Sequence, residues 1–142
     1  MARKFEWDVS YELGIPEIDL QHKKLIAISN DLYDVATKGG DNLKINMSKV
    51  LKSLTDYTVY HFSSEEAFQA KYGYAGVAMH KLAHDQFVSE VQNQIAHLNS
   101  GSQEDALNFY NYIANWILTH IAKADKIWAN FVKTKIECDK EN

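Results

Sequence analysis

A single proline, Pro16, and six glycines gathered into a few places set the strongest limit on how this 142-residue chain can fold. After Gly14 the glycines fall at Gly39–Gly40, at Gly73 and Gly76, and at Gly101. Between these breaks lie four long segments that contain neither residue. Pro and Gly are the residues that cost a helix interior most, roughly 3 and 1 kcal/mol relative to Ala, so segments of this length are read as helices. They are expected over about Ile18–Thr37, Asn42–Tyr72, Val77–Asn99 and Gln103–Lys133.

Each segment carries an inward stripe at helical spacing. The first shows His22, Leu25, Ser29, Leu32 and Ala36. The second shows Met47, Leu51, Leu54, Thr58, His61, Glu65, Phe68 and Tyr72. The third shows Val77, His80, His84, Phe87, Val91, Ile95 and Leu98. The fourth shows Phe109, Ile113, Trp116, Ile117, His120, Ile127 and Phe131. Ser102 with Asp105 three residues on reads as the N-cap of the fourth helix. Four amphipathic helices joined by short loops predict an all-α, antiparallel up-down four-helix bundle in one domain. Residues 1–16 are expected to form an irregular arm, 17–133 the bundle and 134–142 a tail. Trp7, Tyr11 and Ile15 are candidates to anchor the arm by packing.

Apolar residues make up 46% and charged residues 24%, which excludes a largely disordered chain. A net charge of −4 and a pI near 5.8 argue against a nucleic-acid partner. One cysteine, Cys138, rules out an internal disulfide and fits a reducing compartment; its place near the C-terminal end suggests an incidental, exposed thiol. No apolar run approaches the roughly 20 residues of a membrane span, and no apolar signal region follows the charged first residues. A cytoplasmic location is expected.

The inward stripes should be wholly apolar, yet they carry histidine and carboxylate. Of six histidines, five (His22, His61, His80, His84 and His120) fall on inward seams, at least one on every helix. His61 with Glu65, and His80 with His84, stand four residues apart and stack on one face. Taken singly, each has an ordinary explanation as a hydrogen-bonded core residue. Five histidines converging from four helices do not, because unpartnered buried polar groups cost about 1–3 kcal/mol each. A metal centre accounts for all of them together. His97 lies roughly 140° around the third helix from His84 and is expected to face solvent or the flank, with no ligand role. Asp125 follows His120 by five residues, a spacing that a regular helix does not align. Either a locally widened turn brings it inward or it reaches in from the flank, and spacing alone leaves it equally a ligand or a surface acid.

His22 preceded by Ile18-Asp19-Leu20-Gln21, His61-Phe62 followed by Glu65-Glu66, His80 with His84, and His120-Ile121 followed by Asp125-Lys126 resemble, in order and spacing, the ligand series of the hemerythrins, and most closely the bacterial single-domain hemerythrins. The resemblance runs from about Trp7 to Phe131. It implies a non-haem di-iron centre: His80, His84 and His120 on one iron, His22 and His61 on the other, Glu65 and Asp125 bridging, with an oxo or hydroxo bridge between the metals. Those ligands fill all but one position of two octahedral irons, and the open position lies on the iron with two histidines. The implied activity is reversible binding of dioxygen for storage, transport or delivery, without catalysis. The matching positions of the O2 pocket are Leu25, Phe62, Trp116, Ile117 and Ile121, whose apolar character ordinary core packing explains equally well. Family members often carry proline after the tyrosine that opens the third helix; here Tyr74 is followed by Ala75.

Two other readings compete. A di-iron oxidase or peroxidase of the carboxylate-rich type needs four Glu and paired Glu-x-x-His motifs, which this chain lacks. A sensor module responding to O2, redox state or NO would act on a partner domain. The sequence names no delivery partner and demands no oligomer, so a monomer is expected.

Overall fold

The structure, a computed structural model, describes residues 4, 6–96 and 102–141. A single 3-10 turn, Val9–Tyr11, is followed by α1 (Pro16–Lys38), α2 (Leu43–Lys71), α3 (Val77–Ala96) and α4 (Gln103–Thr119). A π-helical turn, His120–Asp125, then joins α4 to α5 (Lys126–Glu141), so the fourth rod of the bundle has two parts. His97, and with it Leu98 and Asn99 at the expected end of the third helix, lie outside the described residues.

The ends follow from local chemistry. Pro16 is the first residue of α1, where its missing N–H is no loss, and Glu17 and Asp19 place negative charge at the positive end of the helix. The arm therefore stops one residue earlier than expected. Gly39 and Gly40 turn the chain through left-handed backbone at φ 60° and 88°, which glycine tolerates best. The carbonyls of Ala36 and Thr37 that α1 leaves open accept from Gln103 Nε2 at 3.1 and 2.8 Å, fastening this loop to the start of α4. Ser102 Oγ accepts from Asp105 N at 3.3 Å and caps α4 as the sequence suggests.

Helix α1 packs against α2 and α4, and α2 packs against α3. Two apolar clusters result. The larger one gathers Leu32, Met47, Leu51, Leu54, Phe87, Val91, Phe109 and Ile113. The smaller gathers Leu13, Ile15 and Ile18 with Trp128, Ala129 and Val132. Of the expected anchors, Ile15 is buried in the smaller cluster and Tyr11 packs against the larger. Trp7 is half-buried, edge-on to Tyr11 at 5.8 Å. Asp19, which the sequence reading passes over, holds the arm most directly: its buried carboxylate accepts from Leu13 N at 2.8 Å and Gly14 N at 3.1 Å. Among the described residues, no helix is long and apolar enough to cross a membrane.

The π turn corrects the inward stripe beyond His120. It takes one residue more than a regular turn, so every later position is shifted by one. Ile127, expected inside, is 62% exposed, while Trp128 is 0% exposed. Phe131 is half-buried and its neighbour Val132 is buried. The last helix also runs past Lys133 to Glu141, because nothing in that stretch breaks it and Ile136 still packs on the smaller cluster. Cys138 on this helix is exposed and free.

This register predicts that Trp128→Ala destabilises the fold by about 3–5 kcal/mol, the usual cost of removing a large buried aromatic. Ile127→Ala stays within about 0.5 kcal/mol of the parent. Denaturant unfolding of the two variants checks the order, and equal costs would contradict the shifted register.

Candidate metal centre

Between the two apolar clusters lies a polar layer. His22 comes from α1, His61 and Glu65 from α2, His80 and His84 from α3, and His120 and Asp125 from the two ends of the π turn. All seven are buried, and Glu65 and Asp125 are 0% exposed. The widened turn is what brings Asp125 inward beside His120, at 3.1 Å from its Nε2; of the two routes the five-residue spacing leaves open, it is the bulge and not the flank. Trp128 Nε1, three residues on, donates to Asp125 Oδ1 at 3.0 Å and fixes the carboxylate.

The two carboxylates divide their oxygens in the same way. Glu65 Oε1 faces His22 and His61 at 2.9 and 2.7 Å, and its Oε2 faces His80 and His84 at 3.1 and 3.2 Å. Asp125 Oδ2 faces His22 at 3.1 Å, and its Oδ1 faces His80 and His120 at 3.1 Å each. The donors thus form two groups that share both carboxylates. One holds His80, His84 and His120, and the other His22 and His61, with the ligating atoms of each group within 4.8 Å of one another.

The chemistry of this donor set calls for cations. His61 Nδ1 donates to Gln21 Oε1 at 2.6 Å, and His84 Nδ1 donates to Glu66 Oε2 at 2.9 Å. A neutral ring that donates from Nδ1 turns a lone pair on Nε2 toward the centre. The Nε2 atoms of His84 and His120 then stand 3.0 Å apart, and those of His120 and His80 3.2 Å. Lone pairs held that close to one another and to carboxylate oxygens repel unless protons or metal ions lie among them. Separations near 3 Å are also the edges expected of a coordination shell with bonds of about 2.1 Å. Imidazole with carboxylate suits borderline metals, iron and zinc among them. Gln21 and Glu66 orient two of the rings from outside; the sequence reading did not single them out for this, although both adjoin a histidine or a glutamate of the set.

The titration behaviour reflects the same need. Burial depresses the imidazolium forms of His22 and His80, but hydrogen bonds and charge from Asp125 and Glu65 outweigh it and raise both pKa values to about 9. Burial pushes the Glu65 carboxyl up, yet the imidazoles gathered round it, His61 with His22 and His80, hold it well below the usual range. Asp125 is lowered likewise, with burial and the charge on Glu65 opposed by His120 and His22.

Against His61 and His120, one histidine of each group, is a cavity of about 10 Å³, room for roughly one water-sized molecule. Leu25, Phe62, Trp116, Ile117 and Ile121 all line it, together with Thr58, His61, His120 and Asp125. Thr58 was not among the expected pocket residues. Its hydroxyl donates to the Thr55 carbonyl at 2.9 Å, so its proton is directed away from the cavity. A larger open groove between α1 and α2, lined by Lys24, Ile28, Asp31, Tyr57 and Tyr60, holds none of the seven.

Fold and site together define a metal-binding helical bundle whose centre is rich in histidine and shares two carboxylates. Residues 13–132 match the hemerythrin HHE cation-binding domain, and the chain belongs to that family. It is 31% identical to a bacteriohemerythrin of Clostridium acetobutylicum over 86% of this chain and 96% of the relative. With a bacteriohemerythrin of Methylococcus capsulatus it shares 34% identity over 78% of this chain and 82% of the relative. A crystal structure of wild-type hemerythrin superimposes with a TM-score of 0.78 at 29% identity, covering 92% of this chain and 98% of the other.

The raised values set a pH dependence. In the metal-free protein the folded pKa of His22 and His80 lies above the unfolded value near 6.5. Their contribution to stability is therefore complete below about pH 6.5 and is lost as the pH rises through about 9. Thermal unfolding of metal-free protein should show a midpoint that falls over that interval, while metal affinity rises as the displaced protons become easier to remove. A midpoint that climbs from pH 6.5 to 9 would contradict this charge arrangement.

Proposed function

We propose that the chain binds dioxygen reversibly at a non-haem di-iron centre, for storage, transport or delivery of O2. The observation that carries this reading is the division of the two carboxylates, each with one oxygen toward either histidine group. His80, His84 and His120 would hold one iron and His22 with His61 the other, with Glu65 and Asp125 bridging. Two irons held by these residues would supply the electrons that reversible O2 binding requires.

The chain's own residues favour binding over onward reaction. Five imidazoles and only two carboxylates give the centre little negative charge with which to stabilise strongly oxidised metal. The group with two histidines is the less filled one, and the cavity reaches it at His61 as it reaches the other group at His120. Leu25, Phe62, Ile117 and Ile121 wall that cavity with buried apolar surface, which excludes water and the protons it would deliver. Stacked rings close it further: Phe62 lies 3.8 Å from His84 with a 4° interplanar angle, and Trp116 lies 4.4 Å from His120. Gln21 and Glu66 keep His61 and His84 in the tautomer that offers Nε2 to a metal.

His61→Ala and His80→Ala each remove one donor from a different group. Iron per chain is expected to fall from about two to one or none in either variant, with loss of the oxygen-dependent absorption. A variant that keeps two irons and a normal spectrum would contradict the ligand assignment.

Ile117→Ala should enlarge the cavity and Ile117→Phe should fill it. Iron content is expected to stay unchanged in both, while the rate of irreversible oxidation in air moves several-fold in opposite directions. Identical oxidation rates in the two variants and the parent would remove Ile117 from the pocket.

A further inference from the structure

Four buried side-chain atoms among the described residues have no hydrogen-bond partner: His22 Nδ1, Asp125 Oδ2 and both amide atoms of Gln69. Asp125 Oδ2 stands 3.1 Å from His22 Nε2 and belongs to the centre already described. The other three are left without an account. Gln69 is 0% exposed, and an unpaired buried polar group costs about 1–3 kcal/mol, so an amide with both ends unpaired is a costly choice for an apolar layer.

Its place in the fold suggests its use. Gln69 follows Glu65 by four residues on the inward stripe of α2. Helices α1 and α2 pack antiparallel, so the step from Glu65 to Gln69 runs beside the step from His22 back to Ile18. Side chains on a helix lean toward its N-terminus. The His22 ring therefore leans toward the Ile18 level, and the Gln69 amide leans toward the Glu65 level. The two converge on one layer from facing helices. His22 turns Nε2 to Glu65 and Asp125, the side a metal would occupy; with Nε2 on a metal the ring proton sits on Nδ1, which then requires an acceptor. His61 has Gln21 for that purpose and His84 has Glu66; His22 has no direct partner.

We propose that Gln69 is the positioning residue of His22. Its amide oxygen accepts from His22 Nδ1–H, after rotation of the side chain or through one buried water, and so fixes the tautomer that presents Nε2 to the metal. The inference rests on reading the centre as a metal site.

The test compares the parent with Gln69→Met and Gln69→Glu, metal-free and loaded with diamagnetic zinc. It reads the His22 ring nitrogens and the exchange of the Nδ1 proton by NMR, with zinc and iron affinity and thermal stability alongside. In the parent, His22 should carry a protected Nδ1 proton. Gln69→Met should speed its exchange by about tenfold or more and weaken metal binding by about 10–100-fold, while stability holds or rises because Met suits the layer. Gln69→Glu restores an acceptor of the kind Glu66 gives His84, and should keep the Nδ1 proton and the affinity. A Gln69→Met variant that changes stability alone, with tautomer, exchange and affinity as in the parent, would overturn the proposal. So would a parent whose zinc-bound His22 carries its proton on Nε2 or exchanges Nδ1–H freely, even if Gln69→Met failed to fold. A parent that took up neither zinc nor iron would instead overturn the metal-site reading, and the metal-free exchange rates would still decide the role of Gln69.

Discussion

Two carboxylates buried beyond the reach of solvent are the constraint on which the rest of this structure depends. A lone ionised carboxylate in an apolar interior costs several kcal/mol, a large share of a small domain's stability, so Glu65 and Asp125 stay ionised only with positive charge close by. Five imidazoles meet that requirement only in part, because a neutral ring offers one donor or one lone pair at each nitrogen. Protons on His22 and His80 satisfy it in the metal-free protein. Metal ions satisfy it more completely, since they also accept the lone pairs that His61 and His84 are held to present.

Several features of the fold follow from that layer. The π turn exists where His120 and Asp125 both have to face inward at a spacing a regular helix would split. Its extra residue carries Trp128 into the smaller cluster, where the indole also steadies Asp125. The polar layer separates the two apolar clusters, and the N-terminal arm closes the smaller one through Leu13, Ile15 and the buried Asp19. Binding chemistry and packing are thus coupled through the same few side chains.

The four rods and their inward faces were legible in the sequence because proline, glycine and a 3.6-residue period act locally. The five histidines were legible for the same reason, since each breaks an otherwise apolar stripe. Asp125 was not decidable from spacing, and Ile127 was placed inside. A π turn is selected by what its ends must meet across the bundle, and the local sequence His120-Ile121-Ala122-Lys123-Ala124-Asp125 carries no mark of it. The outer partners Gln21 and Glu66 were equally hidden, because a polar residue at the edge of a stripe looks like any solvated one until a ring nitrogen is seen against it. Gln69 lies on the Glu65 stripe, and a count of inward polar residues that included amides would have found it.

The most direct measurement is absorption of iron-loaded protein as air is admitted and then withdrawn, with iron determined per chain. About two irons per chain are expected, with a visible band that appears in air, disappears under inert gas and returns over repeated cycles. Protein that holds no stoichiometric pair of irons, or whose spectrum is the same with and without oxygen, would contradict it.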